Sequence, residues 1–234
     1  MVVFYATTMH NSSPPDVETK DKDVELKEGK AAGAEQRRVV LKFGSRLLTG
    51  GTDQLDPHRM ATIARAVAAT PTTEVVIVSS GAIAAGFRAL GHTTPPKRIQ
   101  DRQAAAAVGQ GRLMSMWGDA FRDVGREVAQ VLLTNDCLTD RRRYIAASRA
   151  LGTLLQAGVV PIVNENDTVS VDEIVVGDND NLAAMTAALV DASLLALLTD
   201  VPGVWSGDPA KDPDAELIEV AESAEELIRR ALAR

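Results

Sequence analysis

A lysine closing an apolar run, two strand-to-helix turns and two clusters of amides and carboxylates are the parts of this chain best suited to chemistry. Lys42 stands near the end of "RVVLKF", where its ammonium could reach over a sheet edge toward transferred phosphate oxygens. Gly44 and Ser45 follow it and would expose backbone N–H groups in the same place. A strand-end lysine reaching solvent is the alternative. In "SSGAIAAG", 79 to 86, a strand turns directly into a helix, so the amides near Gly81 would form an anion site with no side chain in the way. The competing reading of that turn is a serine N-cap without a ligand. Between 164 and 181, "NENDTVSVDEIVVGDNDN" places Asn and Asp at both ends of an alternating run, read as a hairpin at 169 to 176. Such a surface offers acceptors for an ammonium and neutral donors for a carboxylate, the two needs of an amino-acid ligand. Asp167 suits the ammonium, Asn179 suits a carboxylate, and Ser80 adds a hydroxyl from the other turn. Asn, Asp and Gly are also ordinary turn and cap residues, which is the plainer reading of either cluster alone.

The elements that must hold these residues alternate along the chain. Strands are expected at 38 to 43, 74 to 79, 127 to 134, 159 to 163 and 194 to 199, all short runs rich in Val, Ile and Leu. Helical patterns fall between them at about 58 to 70, 81 to 90, 101 to 124, 140 to 157 and 179 to 191. Apolar strands separated by helices predict an α/β fold, a mostly parallel open sheet sandwiched between helices. In such sheets ligands gather at the carboxyl ends of the strands, where every residue named above lies. A long connection after the last strand, "TDVPGVWSGDPAKDPDA", could cradle a base and ribose, or be only a loop. Neither GxxxxGK[ST] nor GxGxxG occurs, which disfavours a P-loop and a dinucleotide fingerprint.

Composition narrows the function classes. The 234 residues carry a formal net charge of −7 and only 3% aromatics, which argues against a nucleic-acid surface. One cysteine, Cys137, permits no intrachain disulfide and no Cys/His zinc spacing, so no protein metal site is expected and a reducing, cytoplasmic setting is the simplest reading. "MVVFYATT" lacks a basic flank and is too short to span a membrane, and no export is read from it. Residues 1 to 37 are expected to be a disordered leader and 38 to 234 the folded domain. Trp117, with Met114 and Met116, is expected in the core or at a subunit contact, and Arg141 to Arg143 on a solvated face.

The motifs "VVLKFGSRLLTGG", "VIVSSGAIAAG", "QAAAAVGQGRLM", "QVLLTNDCLTDRRRY", "VVPIVNENDTV", "VGDNDNLAA" and "LLTDVPGVWSGDPAKDPDAELI" together resemble the glutamate 5-kinase family of the amino acid kinase superfamily, in the family's order over most of 39 to 218. The resemblance implies transfer of the ATP γ-phosphoryl group to the γ-carboxylate of L-glutamate, the first step of proline synthesis, with magnesium on the nucleotide. It implies that Lys42 stabilises the transferring group, where the residues themselves also suggest amides around Gly44 and Gly81, and that Ser80, Asp167 and Asn179 hold glutamate. Thr199 and Asp200 would begin the nucleotide site. It further implies a homo-oligomer and proline as a feedback inhibitor, with no nucleic acid and no membrane as partner. Two departures stand out: Ala146, where the family usually has asparagine, and an end at Arg234 before the Gly-rich segment with a second lysine and before any PUA domain. A C-terminally truncated kinase domain is therefore expected, with a non-catalytic binding paralogue as the alternative.

Overall fold

The structure is a computed structural model, and it describes residues 2–6, 37–134, 137, 140–169, 178–200 and 203–231. Its strands are β1 (Val2–Ala6), β2 (Arg37–Phe43), β3 (Thr73–Ser79), β4 (Val128–Leu133), β5 (Val160–Glu165) and β6 (Leu194–Thr199). Its helices are α1 (Ser45–Thr49), α2 (Pro57–Ala68), α3 (Ala82–Gly86), α4 (Ile99–Arg122), α5 (Arg141–Gln156), α6 (Asp178–Leu189) and α7 (Ala224–Ala231). Every strand pairing is parallel, in the order β1-β6-β2-β3-β5-β4. Consecutive parallel strands need crossovers, and the Ala-rich helices supply them on both faces.

Alternation along β3 shows how two cores arise from one strand. Val75 and Ile77 face Met60, Ile63, Leu113 and Trp117 of α2 and α4, while Val76 and Val78 face Leu151, Leu155 and Leu182 of α5 and α6. Both β3 and β5 are buried throughout apart from Thr73, which is why their sequences read as unbroken apolar runs. Trp117 is fully buried and stacks at a tilt between Phe43 and Phe121, with ring centroids 6.2 and 6.0 Å away. It is a core residue. Each such aromatic pair adds about 0.5–1.5 kcal/mol beyond the area it buries.

Several expectations need correction. Val2–Ala6, placed in the leader, form an edge strand that pairs with β6 from Val2↔Leu195 to Ala6↔Thr199. "VVFYA" has the β-branched and aromatic content of a strand, and the polar stretch after it had concealed that. The expected helix at 81 to 90 is a short α-helix continued by a 3₁₀ turn, Phe87–Leu90. The hairpin at 169 to 176 lies, apart from Val169, outside the described residues.

Asp140 caps α5 by accepting the amide N–H groups of Arg142 and Arg143. Those amides hold its carboxyl below the ordinary 3.8, the Arg143 amide contributing most. The charged cap is therefore intact above the unfolded value and is lost as pH falls through the lowered one. The three arginines that follow it are solvent-exposed. Among the described residues no helix is long and apolar enough to cross a membrane.

Candidate active site

Parallel pairing brings the ends of β2, β3, β5 and β6 to one edge. Lys42 lies opposite Val78 on one side and Leu197 on the other, and Phe43 lies opposite Ser79 and Leu198. Ser80 and Thr199 are thus each one residue past the partners of Phe43 and two past those of Lys42. The chain leaves β2 for β3 on one side and returns to β2 through β6 on the other, the kind of switch point at which open sheets bind ligands.

Lys42 does not reach into bulk solvent. Its side chain is 13% exposed, and Nζ lies 2.6 Å from Asp180 Oδ1 in the first turn of α6. The Cβ that a side chain at Gly44 would carry lies 3.7 Å from that ammonium and 3.9 Å from the Leu198 carbonyl. Glycine there leaves the ammonium open to an approaching group. The expectation of a free amide at Gly44 is only partly met, because its N–H donates to Leu198 O at 3.4 Å.

The turn after β3 is also resolved. Gly81 caps α3 with φ of 112°, a conformation that only glycine adopts readily, and no side chain caps this helix. Ser80 is therefore not a cap; its Oγ accepts a hydrogen bond from Asn179 Nδ2 at 2.6 Å. A Cβ at Gly81 would meet Leu55 Cδ2 at 2.9 Å, a side-chain tip that can shift, so the backbone conformation is what requires the glycine. Behind the turn, the Trp117 indole N–H donates to Ser79 Oγ at 2.9 Å, and that hydroxyl donates to Ser80 O at 3.0 Å. The turn is held from the core.

From Ser80 a line of side chains crosses the sheet edge. Asn179 Nδ2 also donates to Asn164 Oδ1 at 3.2 Å, and Asn164 Nδ2 donates to Gln110 Oε1 on α4 at 2.9 Å. Gln110 opens onto a cleft of about 260 Å³ lined also by Gln130, Glu165, Asn166, Asp167 and Thr168. Of the expected residues, Ser80 and Asn179 meet directly, and Lys42 joins them through Asp180, the next residue of α6. Asp167 lies at the far end, where it lines the cleft together with Gln110.

Thr199 ends β6 and Asp200 follows it, on the other flank of Lys42. Thr199 Oγ1 lies 3.4 Å from Asp200 Oδ1, and Asp200 Oδ2 makes an exposed ion pair with Arg46 at 3.4 Å. Beyond them the loop folds back on itself through an antiparallel bridge between Trp205 and Leu217. Asp180, Asn164 and Gln110 were not singled out from sequence. Asp180 and Asn164 belong to the same Asn/Asp clusters as the residues that were, and Gln110 had only its place in "AAAAVGQG". Among the described residues no cluster of three or more His, Cys, Asp or Glu could hold a metal ion.

The chain can now be compared with known proteins. A family model described as "Amino acid kinase family" matches residues 37–233. A glutamate 5-kinase of Citrifermentans bemidjiense is 50% identical over 198 residues, covering 83% of this chain and 53% of that protein. A glutamate 5-kinase of Thermus thermophilus is 50% identical over 201 residues, covering 85% of this chain and 54% of its own length. The chain thus spans about half the length of these curated relatives. Solved structures share the fold at low identity. The T. acidophilum isopentenyl phosphate kinase product complex has a TM-score of 0.53 at 22% identity, covering 77% of this chain and 78% of that one. E. coli aspartokinase III with aspartate and ADP has 0.51 at 19%, covering 78% and 53%. A parallel sheet whose strand ends carry a half-buried lysine and a line of amides, matched by one family model from β2 onward, makes this chain a member of the amino acid kinase family.

Proposed function

We propose that this site transfers the γ-phosphoryl group of ATP to the γ-carboxylate of L-glutamate, giving γ-glutamyl phosphate for proline synthesis. The observation that carries the reading is the pairing of two unlike halves at one sheet edge. On one side Gln110, Asn166 and Asp167 line a cleft suited to a zwitterion, and Asn164 and Asn179 are hydrogen-bonded in line with Gln110. On the other, Lys42 stands beside Gly44 and next to the end of β6, where Thr199 and Asp200 would begin the nucleotide site. The names of relatives that are half identical support glutamate as acceptor.

Phosphoryl transfer needs alignment and charge neutralisation rather than a protein nucleophile. The glutamate carboxylate oxygen would attack in line while Lys42 neutralises charge on the equatorial oxygens, helped by amides around Gly44 and Gly81. Since Gly44 N–H already faces Leu198, the amides that follow it are the better donors. Asp180 holds the ammonium in place before the nucleotide arrives. Magnesium would travel on the nucleotide, which usually supplies most of its ligands together with water. A cytoplasmic setting, a homo-oligomer and inhibition by proline belong to the same proposal.

Asp167→Asn removes the counter-charge of the substrate ammonium and keeps the shape. Glutamate affinity is expected to fall by about 1.5–3 kcal/mol, the scale of a hydrogen bond to a charged group. Unaltered affinity by calorimetry would reject the assignment of Asp167. The reaction itself is tested by trapping the acyl phosphate: with ATP, magnesium, L-glutamate and hydroxylamine the protein is expected to form γ-glutamyl hydroxamate. Glutamate binding without hydroxamate would favour a non-catalytic binding role instead.

A further inference from the structure

We propose that Gln110 reads the α-carboxylate of the amino-acid substrate and that Asn164 holds the Gln110 amide in its donating orientation; this rests on the amino-acid reading of the cleft given above. Each side-chain amide has one carbonyl and one NH₂ group, so in a buried line of amides the direction of one fixes the next. Asn179 Nδ2 donates to Ser80 and Asn164, and Asn164, only 2% exposed, passes its own Nδ2 to the Gln110 carbonyl. Among the three amides both links run the same way, from Asn179 through Asn164 to Gln110, while Asn179 also donates outward to Ser80. At one end Gln110 Nε2 is buried with no protein partner, and at the other so is Asn179 Oδ1. Buried polar groups in native proteins are rarely left unmatched, and two at the ends of an otherwise satisfied line mark where a ligand would complete it.

The charge of that ligand follows from its surroundings. Gln110 lines the cleft with Asp167 and Glu165. An N–H donor calls for an acceptor, but a bare carboxylate would be repelled by Asp167. An α-amino acid head group satisfies both, placing its carboxylate on Gln110 and its ammonium on Asp167. A neutral amide suits this place better than an arginine, which would be drawn to the acidic side chains beside it and fill the space. With the head group held there, the side-chain carboxylate of the substrate is left to extend along the amides toward Ser80 and Lys42.

Gln110→Glu tests this with little disturbance, because a carboxylate still accepts from Asn164 Nδ2 and only the donor is exchanged for an acceptor. Calorimetry is expected to show the Kd for L-glutamate raised at least about tenfold, the scale of one lost hydrogen bond to a charged group, with the unfolding midpoint unchanged. L-isoglutamine, whose α-carboxylate is an amide, is expected to bind the variant better than the parent protein. A purely structural role for Gln110 would not reverse that preference. An L-glutamate Kd unchanged or lowered, or equal losses for both ligands, would overturn the proposal; a lowered Kd would mean that the line of amides runs the other way and presents the Gln110 carbonyl. Parent protein that binds neither ligand would overturn the amino-acid reading itself, and this inference with it.

Discussion

Lys42→Ala is expected to lower turnover about 10²- to 10³-fold, roughly 3–4 kcal/mol, while glutamate affinity changes little. The ammonium stands beside Gly44 at the end of β2 and is not among the residues that line the cleft with Asp167, so on the proposed reading its charge would act mainly on the transferring group. Its removal does more than delete a cation. Asp180, now 2.6 Å from Nζ, would remain as an uncompensated carboxylate facing incoming phosphate oxygens. Part of the loss should therefore return in the double variant with Asp180→Asn, whereas Asp180→Asn alone should lower turnover by loosening the lysine. Single-turnover kinetics with glutamate and ATP, together with glutamate calorimetry, separates the two effects. A large loss of glutamate affinity with turnover preserved would place Lys42 in substrate binding instead.

Gly109→Ala is expected to have the largest effect on stability, and two opposed terms decide its sign. In a helix interior alanine is favoured over glycine by about 1 kcal/mol. Here, however, the added Cβ would fall 1.8 Å from the Ala82 carbonyl oxygen and 2.7 Å from the Gly86 amide nitrogen. Gly86 is in the reciprocal position, 1.9 Å from the Ala105 carbonyl oxygen. These are backbone atoms, so α3 and α4 must separate. Overpacking of this kind costs about 1–3 kcal/mol when side chains can yield and more when they cannot, which outweighs the propensity gain. A net loss of about 3 kcal/mol is expected in urea unfolding. Because Gly81 caps α3, the same shift should move the Ser80 turn and weaken substrate binding in whatever protein remains folded. Equal or greater stability would show that the two helices do not meet as closely as described.

The architecture was legible because both faces of the inner strands are covered. "EVVIVS" and "VVPIV" have no polar face to confuse with a surface strand, and the helices between them leave a parallel sheet as the natural outcome. β1 was missed because its five residues precede a long polar stretch, and a strand added at a sheet edge needs a partner that local sequence does not name. The candidate residues were legible by position, since Lys42, Gly44, Ser80, Gly81, Asp167, Thr199 and Asp200 lie at or just past strand ends and Asn179 opens α6. The bonds among those residues were not. Ser80 and Asn179 are 99 residues apart and Gln110 and Asn164 are 54 apart, and the choice between cap and partner for Ser80 turned on the positive φ of the glycine after it. Adjacent Asn179 and Asp180 point about 100° apart around α6, so only the packed helix decides that the amide faces Ser80 and the carboxylate faces Lys42.

The central claim is that one sheet edge holds an amino acid at its amide side and presents that ligand's far carboxylate to the lysine. A crystal structure with L-glutamate tests it most directly. The account predicts the ammonium on Asp167, the α-carboxylate within hydrogen-bond distance of Gln110, and the γ-carboxylate near Ser80 on the side of Lys42. Glutamate bound elsewhere, or bound in the cleft with its γ-carboxylate turned away from Lys42, would contradict it.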